Sequence, residues 1–414
     1  MSKTPFGIDA INVFCGFAAI DVPTLFTGRG LALARLPNLM MDQRAVQLPF
    51  EDPVTLAVNA ARPLVDALEP AERDRIELVV TSSESGVDYS KSITSYVHDY
   101  LGLSRRCRLL EVKQACYGAT AMLQLAAGYL AADICPGAKA LIVATDVNFF
   151  EDTYAEPATG HGAAAMLVSD NPGILALDAG RYGTCGFETM DTARPGPTFD
   201  VWDVDLSLMS YLECLVDSYR QYLRRRGDAD LGSSFDFIAM HTPFAGMVRA
   251  AHRTLMREFA PRPPAEIEAH FHRHVLPSLN YPRLVGNIFS GSLYLALCSI
   301  IDSIDKAEYP DGATVGLFSY GSGCASEFFS GTLAARAPDR LAEYRIADRL
   351  ANRRLLGFTD YTKALESIRG GLAPVANRSV DLSDCEDWIR PVCGERPCLV
   401  LSGVKDFHRC YQWR

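Results

Sequence analysis

Two long stretches of the chain are almost free of charged residues and dominate its pattern of hydrophobic and polar positions. They run from Ala115 to Ala132 and from Leu284 to Ile301. Both are long enough to span a membrane, but Gln124 and several small residues interrupt the first, and Asn287 and three serines interrupt the second. A helix that is apolar all round in a soluble protein lies in the core between sheets. The pattern therefore predicts two buried helices.

The elements around each buried helix repeat in the same order. A strand ending in a polar residue comes first, then the helix, then a strand, a small-residue turn and a last strand. The predicted strands are Ile76–Thr81, Ala140–Thr145 and 160–168 in one half, and Phe235–Met240, Thr314–Ser319 and Cys324–Phe329 in the other. The repetition indicates an internal duplication in the order and type of the elements, although the amino-acid sequences of the two halves show little similarity.

Strands that alternate with helices predict mostly parallel sheets that are covered on both faces. Two such halves sharing two buried helices predict a layered α/β/α/β/α sandwich. We place the halves at residues 1–172 and 173–414, with the boundary near Asn171-Pro172-Gly173. In this arrangement the polar residues at strand ends and helix starts converge between the halves.

Composition narrows the class of protein. The 414 residues are 48% hydrophobic and 22% charged, which suits a globular chain with a large core. The net charge of -10 argues against a general nucleic-acid or anionic-membrane binder, because such surfaces need a dominant positive field. Residues 1–30 lack the pattern of a secretory signal. The twelve cysteines form no tight framework, so we expect reduced thiols and a cytoplasmic location.

The C-terminal residues include a group that could hold zinc. Its members are Cys385, Cys393, Cys398, His408 and Cys410. Their spacings lack the paired C-x2-C pattern of structural zinc sites. We therefore expect no metal site and predict unligated thiols, several of them buried.

Cys116 is the first candidate for chemistry, because it lies in EVKQACYGATA, where charged residues end and an apolar helix begins. The positive end of the helix dipole and the free N–H groups there predict a lowered thiol pKa and a thiolate nucleophile. The alternative is a small buried core thiol.

Glu84 and His241 occupy equivalent strand ends in the two halves. A carboxylate desolvated at the rim of a sheet has a raised pKa, so Glu84 can act as a general base near neutrality. The imidazole of His241 could orient or protonate a carbonyl oxygen. Alone, the glutamate also fits a solvated or capping role, and the histidine also fits a structural one.

Two further positions could donate hydrogen bonds to a carbonyl. Asn287 starts the second buried helix, and Ser322 lies in the turn YGSG between Tyr320 and Gly323. Such donors can form an oxyanion hole, although helix capping or turn chemistry would also explain each residue. The matched placement of these residues in a duplicated fold favours a shared site.

Motifs around these residues resemble those of one known family. They are, in order, SSESGVD, EVKQACYGAT, HTPF, VGNIFSGSLY and LFSYGSG. From Gly7 to about Phe329 the chain resembles the 3-hydroxy-3-methylglutaryl-CoA synthases of the thiolase superfamily, and LVLSGVKDFHR extends the likeness towards the end. The resemblance implies a thiolase-like five-layer α/β/α/β/α sandwich made of two duplicated halves.

The resemblance also implies a role for each candidate. Cys116 would accept the acyl group, Glu84 would be the base, and His241 would bind and polarise the acceptor. The positions implied for substrate binding are Asn287, Tyr320, Ser322 and Gly323. One departure is His161 in TGHGAAAML, where a small residue is expected; an imidazole there would either fill a loop or narrow the acyl tunnel.

Gln114 and the segment HTPFAGMVRAAHRTLMR resemble the branch of the family that works in polyketide assembly lines. That branch installs β-methyl-type branches on carrier-protein-bound intermediates. The resemblance thus implies an acetyl group on Cys116 that condenses with the β-ketone of a carrier-bound thioester. It further implies a donor and an acceptor acyl carrier protein as partners, a homodimer, and no cofactor beyond the phosphopantetheine of the carriers or of CoA.

Three alternatives stay open. The first is the same reaction on acetyl-CoA and acetoacetyl-CoA in mevalonate synthesis, where lysines more often follow the His-Pro-Phe segment. The second is a ketosynthase-like decarboxylating condensation, which usually pairs the cysteine with histidines or with His and Asn, so Glu84 argues against it. The third is a catalytically silent homologue that only docks carrier proteins.

A basic stripe follows the histidine. Arg249, Arg253 and Arg257 recur at i, i+4 and i+8 of a predicted helix, which places three guanidinium groups on one face. We predict that this stripe docks the phosphopantetheine phosphate and the acidic surface of a carrier protein, because arginine binds phosphate and carboxylate bidentately. The alternative is a solvated basic face.

Overall fold

A computed structural model describes residues 5–133, 135–148, 150–151, 155–197, 199–227, 230–309 and 311–414. Its strands are β1 (Gly7–Phe14), β2 (Ala18–Asp21), β3 (Gln43–Val46), β4 (Ile76–Ser82), β5 (Arg108–Val112), β6 (Lys139–Asp146), β7 (Gly162–Ser169), β8 (Leu175–Gly186), β9 (Thr192–Gly196), β10 (Phe199–Trp202), β11 (Phe237–Met240), β12 (Thr314–Gly321), β13 (Ala325–Leu333), β14 (Arg354–Leu355), β15 (Asn377–Ser379), β16 (Leu399–Lys405) and β17 (His408–Trp413).

The α-helices are α1 (Val22–Gly28), α2 (Leu36–Leu39), α3 (Pro53–Asp66), α4 (Pro70–Arg73), α5 (Ile93–Tyr100), α6 (Gly118–Ala131), α7 (Val204–Arg226), α8 (Ala245–Phe259), α9 (Pro264–His270), α10 (Asn280–Val285), α11 (Ser292–Ser303), α12 (Ala337–Ala342), α13 (Ile346–Ala351), α14 (Phe358–Ile368) and α15 (Cys385–Cys393). Short 3-10 helices lie at Leu33–Arg35, Glu156–Ala158, Leu276–Leu279 and Phe289–Gly291, and a π-helix at Phe271–Val275.

One nine-stranded sheet runs through both halves in the order β11-β12-β13-β8-β1-β7-β6-β4-β5. The order β4-β6-β7-β1 of the first half is repeated as β11-β12-β13-β8 in the second. The halves meet at β1 and β8, which pair only through Gly7 with Ala176 and Ile8 with Leu175. The internal duplication predicted from the sequence is confirmed.

The prediction of mostly parallel strands is wrong. Pairing is parallel at β4/β5, β4/β6 and β11/β12, but antiparallel along β6, β7, β1, β8, β13 and β12. The reason is the connections. β12 and β13 are joined by a turn of three residues, and a connection that short can join only antiparallel neighbours.

Helices form the layers. α3 starts with a capping box between Asp52 and Thr55 and packs on β1 and β7, whereas α7 packs on β8 and β13. Between the halves, α6 and α11 touch through the Thr120 Oγ1 to Tyr294 OH hydrogen bond of 2.9 Å. α11 is buried from Ser292 to Ile301, as predicted. The all-round burial predicted for the first helix is wrong, because α6 leaves one face uncovered and Leu125 is 65% exposed.

The C-terminal elements pack against the first half of the chain. β14 pairs in parallel with β2, the Leu401 N–H donates to the Phe50 carbonyl at 2.9 Å, and Arg409 forms a buried ion pair with Asp52 at 3.1 Å. The boundary predicted at residue 172 therefore separates the strands of the two halves, but residues 336–414 do not pack with the second half alone. In the described part of the chain, no helix is both long and apolar enough to cross a bilayer.

Candidate active site

Glu84 lies directly beyond the end of β4, where a buried aspartate fixes the loop. Asp146 ends the neighbouring parallel strand β6, and its Oδ1 accepts hydrogen bonds from the Glu84 N–H at 2.7 Å and the Ser85 hydroxyl at 2.9 Å. The carboxyl ends of parallel strands meet at one edge of a sheet. Two adjacent strand ends therefore determine where the Glu84 side chain lies.

Cys116 lies two residues before α6 begins and faces this loop. Its Sγ donates a hydrogen bond to Glu84 Oε1 at 3.2 Å. Ala115, immediately before it, has a φ of +44°, a left-handed conformation that is rare for alanine. Strained backbone of this kind is concentrated at functional sites.

The end of β12 approaches the cysteine from the second half. A Cβ on Gly321 would lie 2.5 Å from the Gln114 carbonyl oxygen and 2.6 Å from the Tyr117 nitrogen. Only glycine leaves room for this approach. The close contact places the turn after β12 beside the residues that flank Cys116.

The thiol pKa predicted from the helix start is wrong in direction. Burial, and then the neighbouring Glu84 carboxylate, raise the pKa of Cys116 well above its usual value. α6 starts only at Gly118, and its dipole is outweighed. Burial also raises the pKa of Glu84, as predicted, although Arg194 and the hydrogen bond from Cys116 oppose the shift. The resting site therefore holds a protonated thiol beside a carboxyl group of raised proton affinity.

His241 lies just after β11, at the strand end equivalent to that of Glu84. Its N–H donates to the Phe318 carbonyl of β12 at 2.7 Å, and its carbonyl accepts from the Tyr211 hydroxyl at 2.8 Å. The side chain is buried, and Nδ1 has no hydrogen-bond partner within the described chain. Burial lowers the pKa of His241 to about 3. The imidazole is therefore neutral at physiological pH.

The turn after β12 is held by Asp191. The Tyr320 hydroxyl donates to Asp191 Oδ2 at 2.6 Å, and the Gly323 N–H donates to Oδ1 at 2.8 Å. Gly323 has a φ of +111°, and a Cβ there would meet nothing within 4 Å. Ser322 is half-buried between them. The Tyr320 hydroxyl, expected to bind substrate, thus donates its hydrogen bond to Asp191 within the protein.

Asn287 caps the segment that leads into α11. Its Oδ1 accepts from the Phe289 N–H at 2.9 Å and the Ser292 hydroxyl at 2.7 Å. Nearby, the hydroxyls of Ser290 and Ser82 are 3.1 Å apart, which ties this segment to the end of β4. The Asn287 oxygen therefore performs the capping role considered above, next to the strand that carries Glu84.

Comparisons with known proteins identify the family. Models of the N-terminal and C-terminal regions of hydroxymethylglutaryl-coenzyme A synthase match residues 49–172 and 265–373. The polyketide biosynthesis 3-hydroxy-3-methylglutaryl-ACP synthase PksG of Bacillus subtilis is 44% identical over 98% of this chain and 99% of its own. The chain belongs to the hydroxymethylglutaryl-CoA synthase family.

Members of this family are condensing acyltransferases, and the synthase has the fold of its solved relatives. The HMG synthase of the curacin biosynthetic pathway superposes with a TM-score of 0.95, at 44% identity, over 99% of this chain and all of its own. That protein has also been solved in complex with its acetyl donor-ACP. The hydroxymethylglutaryl-CoA synthase of Enterococcus faecalis is 34% identical over 86% of this chain and 90% of its own. The thiolase-like fold predicted from the sequence is confirmed.

Sequence reasoning missed three charged residues of this synthase. Asp146 could have been found in the same way as Glu84, because it is the polar residue at the end of the adjacent parallel strand. Asp191 and Arg194 carried no such signal, because they lie in the Pro- and Gly-rich segment around β9. Arg194 Nη1 donates to the Glu84 carbonyl at 3.2 Å and the Ser85 hydroxyl at 3.0 Å, while its Nε binds Asp200 at 2.7 Å.

The basic stripe on α8 is partly engaged within the synthase. Arg249 and Arg253 both bind the carboxylate of Glu268 in α9, the second at 2.9 Å. Arg257 is exposed and forms no ion pair with the described residues. Of the three predicted docking residues, it is therefore the most accessible to a partner.

His161 is buried immediately before β7 and does not lie in an exposed loop. Its Nε2 lies 3.7 Å from Glu51 Oε2, and neither ring nitrogen has a hydrogen-bond partner among the described residues. Gly16 gives it room, since a Cβ there would lie 2.4 Å from Nε2. Across the described ranges no group of His, Cys, Asp and Glu side chains is arranged to hold a metal ion.

Proposed function

We propose that this synthase condenses an acetyl group held on Cys116 with the β-ketone of a β-ketoacyl thioester borne by an acyl carrier protein, and so installs a β-branch in a polyketide. The observation that carries the chemistry is the direct thiol to carboxylate contact of 3.2 Å. The higher identity to the polyketide enzyme PksG than to the E. faecalis synthase, 44% against 34%, supports the carrier-bound substrate.

The first step transfers the acetyl group to Cys116. The sulfur attacks the carbonyl carbon of the acetyl thioester on the donor carrier, a C–S bond forms, and the carrier thiolate leaves. The Cys116 thiol loses its proton as the C–S bond forms, and the departing carrier thiolate takes up a proton. The exchange consumes no net base, so Glu84 is not required for this step and remains available as the base of the next one.

In the second step Glu84 removes a proton from the methyl of acetyl-Cys116. Burial raises the pKa of Glu84. The carboxylate is therefore a stronger base towards the weakly acidic methyl than an exposed carboxylate would be. Backbone N–H groups at the start of α6 hold the developing enolate oxygen. The enolate carbon then attacks the β-ketone, while the neutral imidazole of His241 donates a hydrogen bond to the forming alkoxide. The proton that Glu84 took from the methyl balances the proton that the alkoxide gains, so the carboxylate is regenerated. Water finally hydrolyses the thioester to Cys116.

The proposed steps use thiol, carboxylate, imidazole and backbone groups, so they invoke no metal, nucleotide or flavin. We also propose that Arg257, with Arg249 and Arg253, meets the acidic surface of a carrier protein or the phosphate of its pantetheine arm. We place the reaction in the cytoplasm, where the twelve cysteines stay reduced.

We further propose that the synthase is a homodimer formed along β5. This strand is the free edge of the nine-stranded sheet, with β4 as its only partner strand in the described chain. Leu109 and Leu110 on it are 39% and 36% exposed, and Leu125 is exposed on α6, the helix next along the chain. Unpaired apolar edges of this kind favour pairing with a second chain. Light scattering should show a dimer that Leu110→Lys weakens and that Leu355→Lys, on the exposed β14, leaves intact.

The substrate is tested by comparing acetoacetyl-carrier protein with acetoacetyl-CoA as acceptor, with acetyl-carrier as the donor in both assays. A higher kcat/KM for the carrier-bound acceptor supports the proposal. Equal or faster turnover of free acetoacetyl-CoA would instead support the mevalonate-type reaction. If acetyl-carrier does not acetylate Cys116 at all, the result would instead support a catalytically silent homologue that only docks carrier proteins.

A further inference from the structure

Two cysteines that do not belong to the site around Cys116 meet at the junction of α15 and β16. Cys393 is the last residue of α15, and Cys398 immediately precedes β16. The Cys398 thiol donates a hydrogen bond to the Cys393 sulfur, with the two sulfur atoms 2.9 Å apart. Cys398 is held in place by paired backbone hydrogen bonds with Arg414 of 2.7 and 2.9 Å. The fold therefore keeps the two sulfurs in direct contact.

The two thiols differ in accessibility. Both cysteines line a cavity of about 310 Å³, but Cys393 is half-buried, whereas Cys398 is only 3% exposed. Arg349 and Arg396 line the same cavity. Arg349 is anchored to the core through the Asn12 Oδ1 atom at 2.5 Å, so its charge is fixed near the sulfurs. Cys393 is therefore the more accessible of the two thiols.

The pKa values of the two thiols also differ, and the more accessible thiol has the lower pKa. The hydrogen bond from Cys398, together with Arg349 and Arg396, lowers the pKa of Cys393 against the opposing effect of burial. The same hydrogen bond and burial raise the pKa of Cys398 well above its usual value. Thiolates react with peroxide and thiols do not. The accessible cysteine is thus the reactive one, and the buried cysteine keeps its proton.

We propose that Cys393 and Cys398 form a redox-active dithiol that hydrogen peroxide converts to an intramolecular disulfide. The Cys393 thiolate attacks one peroxide oxygen, so an S–O bond forms, the O–O bond breaks, and the hydroxide released takes a proton to become water. The Cys398 sulfur then attacks the sulfenic acid, an S–S bond forms, the S–O bond breaks, and hydroxide leaves with the Cys398 proton as a second water. Two thiols are oxidised and one peroxide is reduced.

Neighbouring cysteines provide internal controls. Cys385 starts α15 and is buried, and Cys410 on β17 is half-buried, with its Sγ 3.6 Å from the His408 carbonyl oxygen. Neither has a sulfur contact with another described cysteine like that between Cys393 and Cys398. The proposal therefore predicts one specific disulfide in the C-terminal region.

The chain is suited to a direct test by peptide mass spectrometry. Arg390 and Arg396 are each followed by proline, so trypsin releases residues 379–405 as one peptide with three cysteines. The reduced full-length protein is treated with hydrogen peroxide, and free thiols are alkylated after denaturation. We expect this peptide to carry an alkyl group on Cys385 alone and to have lost two hydrogen atoms, and dithiothreitol should reverse the change. Alkylation of all three cysteines, or a disulfide that includes Cys385, would overturn the proposal.

Single variants test the direction of the chemistry. In Cys398→Ser the reaction should stop at the sulfenic acid of Cys393, which dimedone captures. In Cys393→Ser dimedone labelling of Cys398 should be much slower, and in the control Cys385→Ser the disulfide should form as in the wild type. Should Cys398→Ser fail to fold, the Cys393→Ser and wild-type arms still decide. Equal dimedone labelling of Cys410 and Cys393 in the folded protein would show that Cys393 is no more reactive towards peroxide than another half-buried cysteine, and would contradict the proposal.

Discussion

The Cys116 thiol and the Glu84 carboxylate are joined by a hydrogen bond of 3.2 Å between Sγ and Oε1. Burial is the largest cause of the raised pKa of each group. The carboxylate disfavours ionisation of the thiol, so the pair holds its proton on sulfur at rest. The contact couples the nucleophile to the group that the proposed mechanism uses as its base.

This coupling predicts the effect of Glu84→Gln on the thiol itself. Because the carboxylate raises the pKa of Cys116, the neutral amide should lower that pKa and make the thiol react at lower pH. The measurement is the pH dependence of iodoacetamide alkylation at Cys116, followed by peptide mapping. The exposed Glu343→Gln is the matched control and should change nothing. If the pH dependence of Cys116 alkylation is unchanged in Glu84→Gln, or moves to higher pH, the carboxylate does not raise the thiol pKa.

His241 is predicted to stay neutral throughout the working range. Its pKa of about 3 in the folded protein places its titration below about pH 5. The imidazole resonances should therefore be flat from about pH 5 upwards in an NMR titration. His241→Ala should still form acetyl-Cys116 and lose condensation by about 10²-fold or more. A titration near pH 6.5, or loss of acetylation in His241→Ala, would contradict the role of a neutral donor to the acceptor.

Glu327 carries a pH-dependent cost to stability. It is buried on β13 and accepts a hydrogen bond from the Tyr117 hydroxyl at 2.9 Å. Burial raises its pKa from 4.5 to about 7. The folded state therefore holds the proton more tightly, and its stability falls by about 3 kcal/mol as pH rises from below 4.5 through about 7.

Glu327→Gln should remove this loss while keeping an acceptor for Tyr117. The variant should unfold at higher denaturant concentration than the wild type at about pH 8 and should match it at about pH 4. Equilibrium unfolding at the two pH values is the measurement. A variant that is less stable at both would show that the carboxylate is ionised and needed in the fold.

Carrier docking is tested by charge reversal at Arg257. Because this guanidinium is exposed and Arg249 and Arg253 share Glu268, Arg257→Glu should raise the KM for the carrier-bound acceptor severalfold with little change in kcat. A short pantetheine thioester without phosphate or protein should be affected less, and added salt should narrow the difference. Arg390→Glu makes the same charge change on α15 as a control. Equal losses with both variants or both substrates would remove the docking role.

The sequence predicted the elements that bear the site better than the surroundings of its side chains. The apolar strand before Glu84 and the charge-free stretch after Cys116 placed both residues at element boundaries, and the structure brings them into contact. Helix periodicity could not show that Glu84 itself would raise the thiol pKa, because that effect depends on a contact between residues far apart in sequence.

Other features depended on tertiary packing that no local pattern records. Arg194 reaches the Glu84 loop from a Pro- and Gly-rich surface segment, and Asp191 fixes the turn at Gly323 from the same segment. The pairing of Arg249 and Arg253 with Glu268 needs the position of α9 relative to α8. Strand direction failed for a related reason, since hydrophobic runs show that strands are buried but not how they pair.

In the proposed mechanism, Glu84 acts on acetyl-Cys116 and is not required to form it. The role of Glu84 is tested by intact-protein mass spectrometry of Glu84→Gln incubated with acetyl-carrier protein and then with acceptor. We expect an acetyl adduct at Cys116 that persists after the acceptor is added, whereas the wild-type adduct is discharged into product and Cys116→Ala forms none. Discharge of the Glu84→Gln adduct into condensed product at the wild-type rate would show that Glu84 is not the base of the condensation.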